Sequence, residues 1–272
     1  MFIAGNTFNK AFKVSYSIIK KNKYPIINYI VEDTKNPLKV YKEYQYIIKY
    51  LPNPPISLAL KLSSLNFKED LINNIAQLTS KNNIKLFIDA EHQENFDRYN
   101  KISTNLLYDF NKLDYNIYKT YQLYRKNTYS DILDDIQLSN KHNLFFCAKF
   151  VRGAYWNQER NLGYLYTDKI DTDNSFNSTI INLSNPSFYF NNKPNIILAT
   201  HNSHSIQLGM ILNKNSKIFD FAHLLDMKDK YYSNFTKNNK IYVYVPYGPY
   251  KYMIPYLSRR LYENLDMIKN IY

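Results

Sequence analysis

The feature that most constrains this chain is a rhythm. Eight short apolar runs recur along it, at residues 25–31, 56–62, 85–90, 118–123, 144–151, 195–200, 218–225 and 241–245. Each is of strand length and rich in Ile, Val, Phe or Tyr. Most of the intervals are long enough for an amphipathic helix, as at residues 69–78. Continuous apolar runs alternating with helices predict an α/β chain with a buried parallel sheet. Eight such units predict a closed (β/α)₈ barrel, one domain over residues 1–272, with a doubly wound open sheet as the alternative. Asn6 or Thr7 caps a helix expected at about 7–20, before the first run. After the eighth comes Pro246-Tyr247-Gly248-Pro249, a turn, and a final helix at about 250–265. The longest interval, 153–194, is polar at Thr172-Asp173-Asn174-Ser175. It reads as a lid or as a surface excursion.

Composition narrows the class. The net charge of +12 is almost all lysine, scattered among asparagine, isoleucine and tyrosine. It reads as a bias over the whole surface, not a nucleic-acid stripe. Only Arg98, Arg125, Arg152, Arg160, Arg259 and Arg260 are arginines, so each marks a place that wants a planar fork. The lone Cys147 sits in an apolar run and reads as a small core residue. No run approaches the roughly 18 apolar residues of a membrane span, and the start lacks a signal-peptide pattern. The expectation is a leaderless protein, cytoplasmic or peripheral to a membrane, or mitochondrial if a leader was removed. The five glycines, Gly5, Gly153, Gly163, Gly209 and Gly248, allow neither a GxGxxG nor a GxxxxGK loop.

Barrel enzymes work at the carboxyl ends of their strands. The polar residues ending the runs are Glu32, Lys61, Asp89 with Glu91, Gln122, Lys149 with Arg152, Thr200-His201-Asn202, His223 with Asp226, and Tyr244. Their convergence on one mouth is a site-like constellation. His201 and His204 lack the companions of a zinc site, so no metal is expected. Asp89, Glu91, His92 and Glu94 read as solvated loop charge before a cation site. Lys61 or Lys149 as a Schiff-base lysine in an aldolase-like barrel stays open. On the final helix Tyr256, Arg259, Arg260 and Glu263 share one face, with Ile254, Leu257, Leu261 and Leu265 a separate apolar stripe that packs on the barrel. Two adjacent guanidinium groups beside an aromatic ring suit a carboxylate ligand.

Together these stretches resemble the proline dehydrogenase family. Ala148-Lys149-Phe150-Val151-Arg152-Gly153-Ala154-Tyr155-Trp156 with Glu159, Ala199-Thr200-His201-Asn202, Ile88-Asp89-Ala90-Glu91, Thr120-Tyr121-Gln122 and Tyr256-Leu257-Ser258-Arg259-Arg260-Leu261-Tyr262-Glu263-Asn264 occur in the family's order. The resemblance implies a distorted (β/α)₈ TIM-like barrel that binds FAD without a Rossmann fold, its final helix over the barrel mouth. It implies oxidation of L-proline to Δ1-pyrroline-5-carboxylate, with electrons passed to a quinone, at a membrane surface that a basic protein suits. A weakened barrel serving as a binding protein is the alternative.

By resemblance, Arg259 and Arg260 bind the substrate carboxylate, Lys61 lies near substrate and flavin, and Asp89 orients this basic cluster. Tyr244 and Tyr256 pack on the substrate ring, with Leu224 as an apolar wall, and Tyr244 favours proline over hydroxyproline. Gln122, Lys149, Val151, Arg152, Ala154, Trp156, Thr200, His201 and Glu263 fall at cofactor positions, and Glu32 pairs with Arg260 as a gate. His223 and Asp226 stand where the family has Gln and Gly. Asp226 puts bulk and charge near the site, and aspartate tolerates a positive φ better than most residues.

Overall fold

The computed structural model describes residues 3–31, 34–51, 55–189, 192–227, 232 and 239–263; at 157 and 259–263 it describes the backbone alone. Eight parallel strands run β1 (Tyr24–Tyr29), β2 (Ser57–Lys61), β3 (Leu86–Asp89), β4 (Ile117–Gln122), β5 (Cys147–Val151), β6 (Asn195–Ala199), β7 (Phe219–Leu224) and β8 (Ile241–Tyr247). They pair in sequence order, and β8 closes on β1 with Ile26 opposite Tyr244. The closure rules out the open doubly wound sheet.

Among the described residues, helices α2 (Pro37–Tyr50), α3 (Glu69–Lys81), α4 (Phe96–Phe110), α5 (Thr128–His142), α6 (Trp156–Glu159), α7 (Lys169–Leu183) and α8 (Ser203–Asn213) fill the intervals from β1 to β7. Helix α1 (Phe8–Ile19) precedes the barrel and α9 (Tyr250–Glu263) follows it. Local chemistry sets several ends. Asn36 accepts from Lys39 N at 3.1 Å ahead of Pro37, a capped start for α2. Asn143, left-handed at φ 55°, stops α5.

Strand period divides the core. Outward residues such as Ile27, Leu58, Ile88, Phe150 and Leu198 are buried under the helices. Inward residues Ile26, Ala59, Phe87, Tyr118, Cys147, Ile197, Ala222 and Tyr242 fill the barrel. Fully burying one such aliphatic side chain stabilises by about 1.5–3 kcal/mol. Cys147 is the small core residue the sequence suggests, its thiol pushed up by burial.

The polar stretch 172–175 lies inside α7, where Thr172 is buried and Asp173 accepts from Arg152 and Lys169. One expectation needs correction. Ile254 on α9 is 69 % exposed and stands outside the apolar cluster that the helix joins. The packing face carries Tyr252, Met253, Tyr256 and, from the expected stripe, Leu257, which meet Ile3 and Ile30; Leu265 and the side chain of Leu261 lie outside the described residues. The helix is rotated so that Tyr256 enters the core. No helix among the described residues is long and apolar enough to cross a membrane.

Candidate active site

Strand period also builds the site. Inward positions two or four residues beyond the apolar filling put Lys61, Asp89, Gln122, Lys149, Val151, Ala199, Leu224 and Tyr244 toward the carboxyl ends of seven strands. All of them line one cavity of about 680 Å³, within the size range of small-molecule sites. Arg152, Ala154, Thr200, His201 and Tyr256 line it too. Tyr256 brings α9 to the mouth.

Asp89 is the hub. Lys149 Nζ donates to its Oδ1 at 2.5 Å, and the Tyr244 hydroxyl donates to its Oδ2 in a short bond. Burial, then the Asp89 charge, holds the Tyr244 hydroxyl well above its usual pKa, so it stays a donor. Lys61 is opposite Asp89 in the sheet, and its ammonium lies over the Tyr155 ring, 5.2 Å from the centroid. A Schiff-base lysine needs its amine disengaged. Lys149 is held by a carboxylate instead, which weighs against it as the Schiff-base lysine.

The second charged group surrounds Arg152. Its guanidinium donates to Asp173 at 2.6 Å, to Thr200 Oγ1 at 2.5 Å and to Ser205 Oγ at 2.9 Å. Burial lowers the Arg152 pKa against the pull of Asp173. Burial works against the Asp173 carboxylate, yet hydrogen bonds from Lys169 and Arg152 outweigh it, and its pKa is lowered. Asn202 caps α8 by accepting from Ser205 N at 3.1 Å, which presents the helix start, Ser203 and His204, to the cavity. His201 Nε2 accepts from Leu224 N at 3.2 Å. A backbone N–H only donates, so the neutral ring carries its proton on Nδ1.

Other expectations fall differently. Trp156 does not line the cavity; its indole donates to Tyr166 O at 3.1 Å. Glu91 is turned away and buried, accepting from Ser63 N at 2.8 Å, so it is not the solvated charge expected. Asp226 is exposed at φ 61°, the positive φ its type tolerates, and lies outside the cavity wall. His223 does reach the wall and stacks on Tyr232 at 4.8 Å. Glu32 lies outside the described residues, as do the side chains of Arg259, Arg260 and Glu263 on α9. Among the described residues no three His, Cys, Asp or Glu gather as a metal site.

Sequence reasoning passed over Tyr155, Thr120, Lys169 and Asn28 as wall residues. Tyr155 stands between two residues singled out, Ala154 and Trp156, and was the one to choose. Its ring packs on His92 at 3.6 Å, below Lys61.

The family model described as proline dehydrogenase matches residues 12–271. The mitochondrial proline dehydrogenase 1 of Drosophila melanogaster is 28% identical over 224 residues, 74% of this chain and 32% of that protein. That of Dictyostelium discoideum is 28% identical over 88% of this chain and 44% of that protein. A hydroxyproline dehydrogenase of Xenopus laevis is 27% identical over 74% of this chain and 46% of that protein. This chain thus spans about a third to a half of the length of these relatives. Among solved structures, proline utilization A from Bdellovibrio bacteriovorus, inactivated by N-propargylglycine, superposes with a TM-score of 0.86 at 17% identity, over 97% of this chain and 32% of that one. That likeness concerns the fold.

Proposed function

Because this chain belongs to the proline dehydrogenase family, matched over residues 12–271, we propose that it oxidises L-proline to Δ1-pyrroline-5-carboxylate with FAD held in the barrel mouth. The observation that carries the reading is the convergence of Lys61, Asp89, Lys149 and Tyr244 on one cavity with Gln122, Arg152, Thr200 and His201. The donor set fits a flavin nucleotide. Arg152, Lys169 and the start of α8 supply cations and backbone N–H groups for phosphates. Gln122, Lys149 and His201 supply polar groups for a heteroaromatic ring, and Val151, Ala154, Ala199 and Leu224 supply apolar surface. Bound FAD supplies the two-electron acceptor, and a quinone is the onward acceptor we assign.

Oxidation removes a hydride from C5 and a proton from the nitrogen of proline, the hydride to the bound acceptor and the proton to solvent, and forms a C=N bond. The protein's part is orientation and charge. Arg259 and Arg260, three and four residues beyond Tyr256, grip the carboxylate as a bidentate pair. Tyr244, fixed by Asp89, and Tyr256 bound the substrate ring. A fixed Tyr244 ring crowds a 4-hydroxyl and favours proline over hydroxyproline. Lys61 and Lys149, arranged around Asp89, place positive charge where negative charge develops. Holding the reactants in this geometry lowers the barrier further.

Adding L-proline without oxygen to the FAD-reconstituted protein tests this. Bleaching of the visible flavin band establishes cofactor and reaction together. A band that survives proline overturns the substrate, and no flavin uptake overturns the cofactor.

A further inference from the structure

The cavity wall at Gln122 is backed by a closed ring of buried side chains. Arg125 Nε donates to Gln122 Oε1 at 2.9 Å, and Arg125 Nη2 donates to Glu159 Oε2 at 2.9 Å. The Tyr124 hydroxyl donates to the same Glu159 oxygen at 2.8 Å and accepts from Gln122 Nε2 at 3.3 Å. Arg125 and Glu159 are 5 % and 3 % exposed. Glu159 Oε1 also accepts from Gln93 N at 2.7 Å, with His92 Nδ1 at 3.8 Å, and Arg125 Nη1 donates to Gln93 Oε1. The pair therefore ties together the segments that follow β3, β4 and β5.

Every direction in this ring is forced. A guanidinium only donates and a carboxylate only accepts. An amide flip at Gln122 would set its NH₂ against Arg125 and its oxygen against the Tyr124 oxygen, whose proton is committed to Glu159. Tyr124 cannot swing toward Gly153 either. A Cβ there would lie 1.7 Å from the Tyr124 ring, so the ring occupies the space that glycine leaves.

We propose that Arg125 and Glu159 are positioning residues that lock the Gln122 carboxamide in one orientation, so that Gln122 meets a heteroaromatic ligand in the cavity as an N–H donor through Nε2. The lock itself is a property of the folded chain; its consequence for FAD rests on the function proposed above. Removing one member of a buried ion pair strands the other, whereas removing both is often tolerated. The test therefore uses the double variant R125M/E159Q, alone and combined with Q122A.

In the flavin-free protein, NMR of the Gln122 side-chain amide, identified by its loss in Q122A, reports the lock. It exchanges slowly with solvent in the parent and at least tenfold faster in R125M/E159Q; equal rates overturn the proposal. FAD titration then reads the consequence. R125M/E159Q weakens FAD binding about tenfold, the scale of one lost hydrogen bond, and leaves the proline KM within twofold. In the Q122A background the same double change costs nothing more, because the clamp then has nothing to orient. An equal loss in both backgrounds marks a merely structural pair and overturns the proposal. Parent protein that takes up no FAD overturns the function reading, while the exchange result still decides the lock.

Discussion

Lys85 and Lys149 are both lysines set among tyrosines inside one barrel, at opposite ends of its strands. At the floor, Lys85 Nζ donates to Tyr118 at 2.8 Å and to Tyr242 at 3.4 Å, and lies within 6.0 Å of the Tyr115, Tyr118 and Tyr242 rings. Tyr118 passes its proton toward Asn195 at 2.7 Å, and Asn195 donates to Asp220 at 3.0 Å. The groups close on one another and seal the barrel. At the mouth, Lys149 meets Asp89 directly, Tyr244 joins it, and all three face the 680 Å³ cavity. The residue types are nearly the same. A polar cluster is structural where its members saturate each other and a site where they border space.

Paired substitutions break or sharpen that contrast. Asp89→Ala should lower kcat/KM for proline by about 10²–10³-fold, the scale of losing preorganised electrostatics. Its floor counterpart, Asp220→Ala, should leave kcat/KM within twofold while lowering the thermal midpoint. Asp220 accepts from Asn195 and from Lys240 N, and neither bond faces the cavity. Equal activity losses in a steady-state assay would erase the distinction. Arg259→Met or Arg260→Met should raise the proline KM by about 10–100-fold; an unchanged KM removes both from carboxylate binding. Tyr118→Phe takes away the floor hydroxyl that serves Lys85 and Asn195. Urea unfolding should show a loss of about 1–3 kcal/mol with turnover intact.

Much of this was legible before any coordinates, for a physical reason. Strands buried on both faces must be apolar along their length, so every run became a strand with ends within about four residues of those expected. Period two then put Lys61, Asp89, Gln122 and Lys149 on the inside together. Contacts that depend on how turns meet were not legible. Arg125 and Glu159 are 34 residues apart, and nothing in either turn announces the other. The scarcity of arginine was the available signal: Arg125 and Arg152 each use a planar fork on several partners at once. Ile254 misled because an apolar stripe says that a helix can pack, not which way it is rotated.

The smallest effect concerns pH at the floor. Burial, then the neighbouring Lys240 charge, lowers the Lys85 pKa from its ordinary value. A lysine with a lowered folded-state pKa holds its proton more weakly when folded than when unfolded. Between the folded and unfolded pKa values the unfolded chain therefore binds more protons, and stability rises with pH. Below the folded value the penalty on the charged form is fully present; above the unfolded value, about 10.4, it is gone. Lys85→Met removes the titration. The stability of the parent relative to Lys85→Met, measured by urea unfolding at increasing alkaline pH, should rise toward pH 10, other titrations cancelling in the difference. A flat difference for Lys85 would mean that the three tyrosines solvate its ammonium as well as water does, and the floor would then be a better cation site than its burial implies.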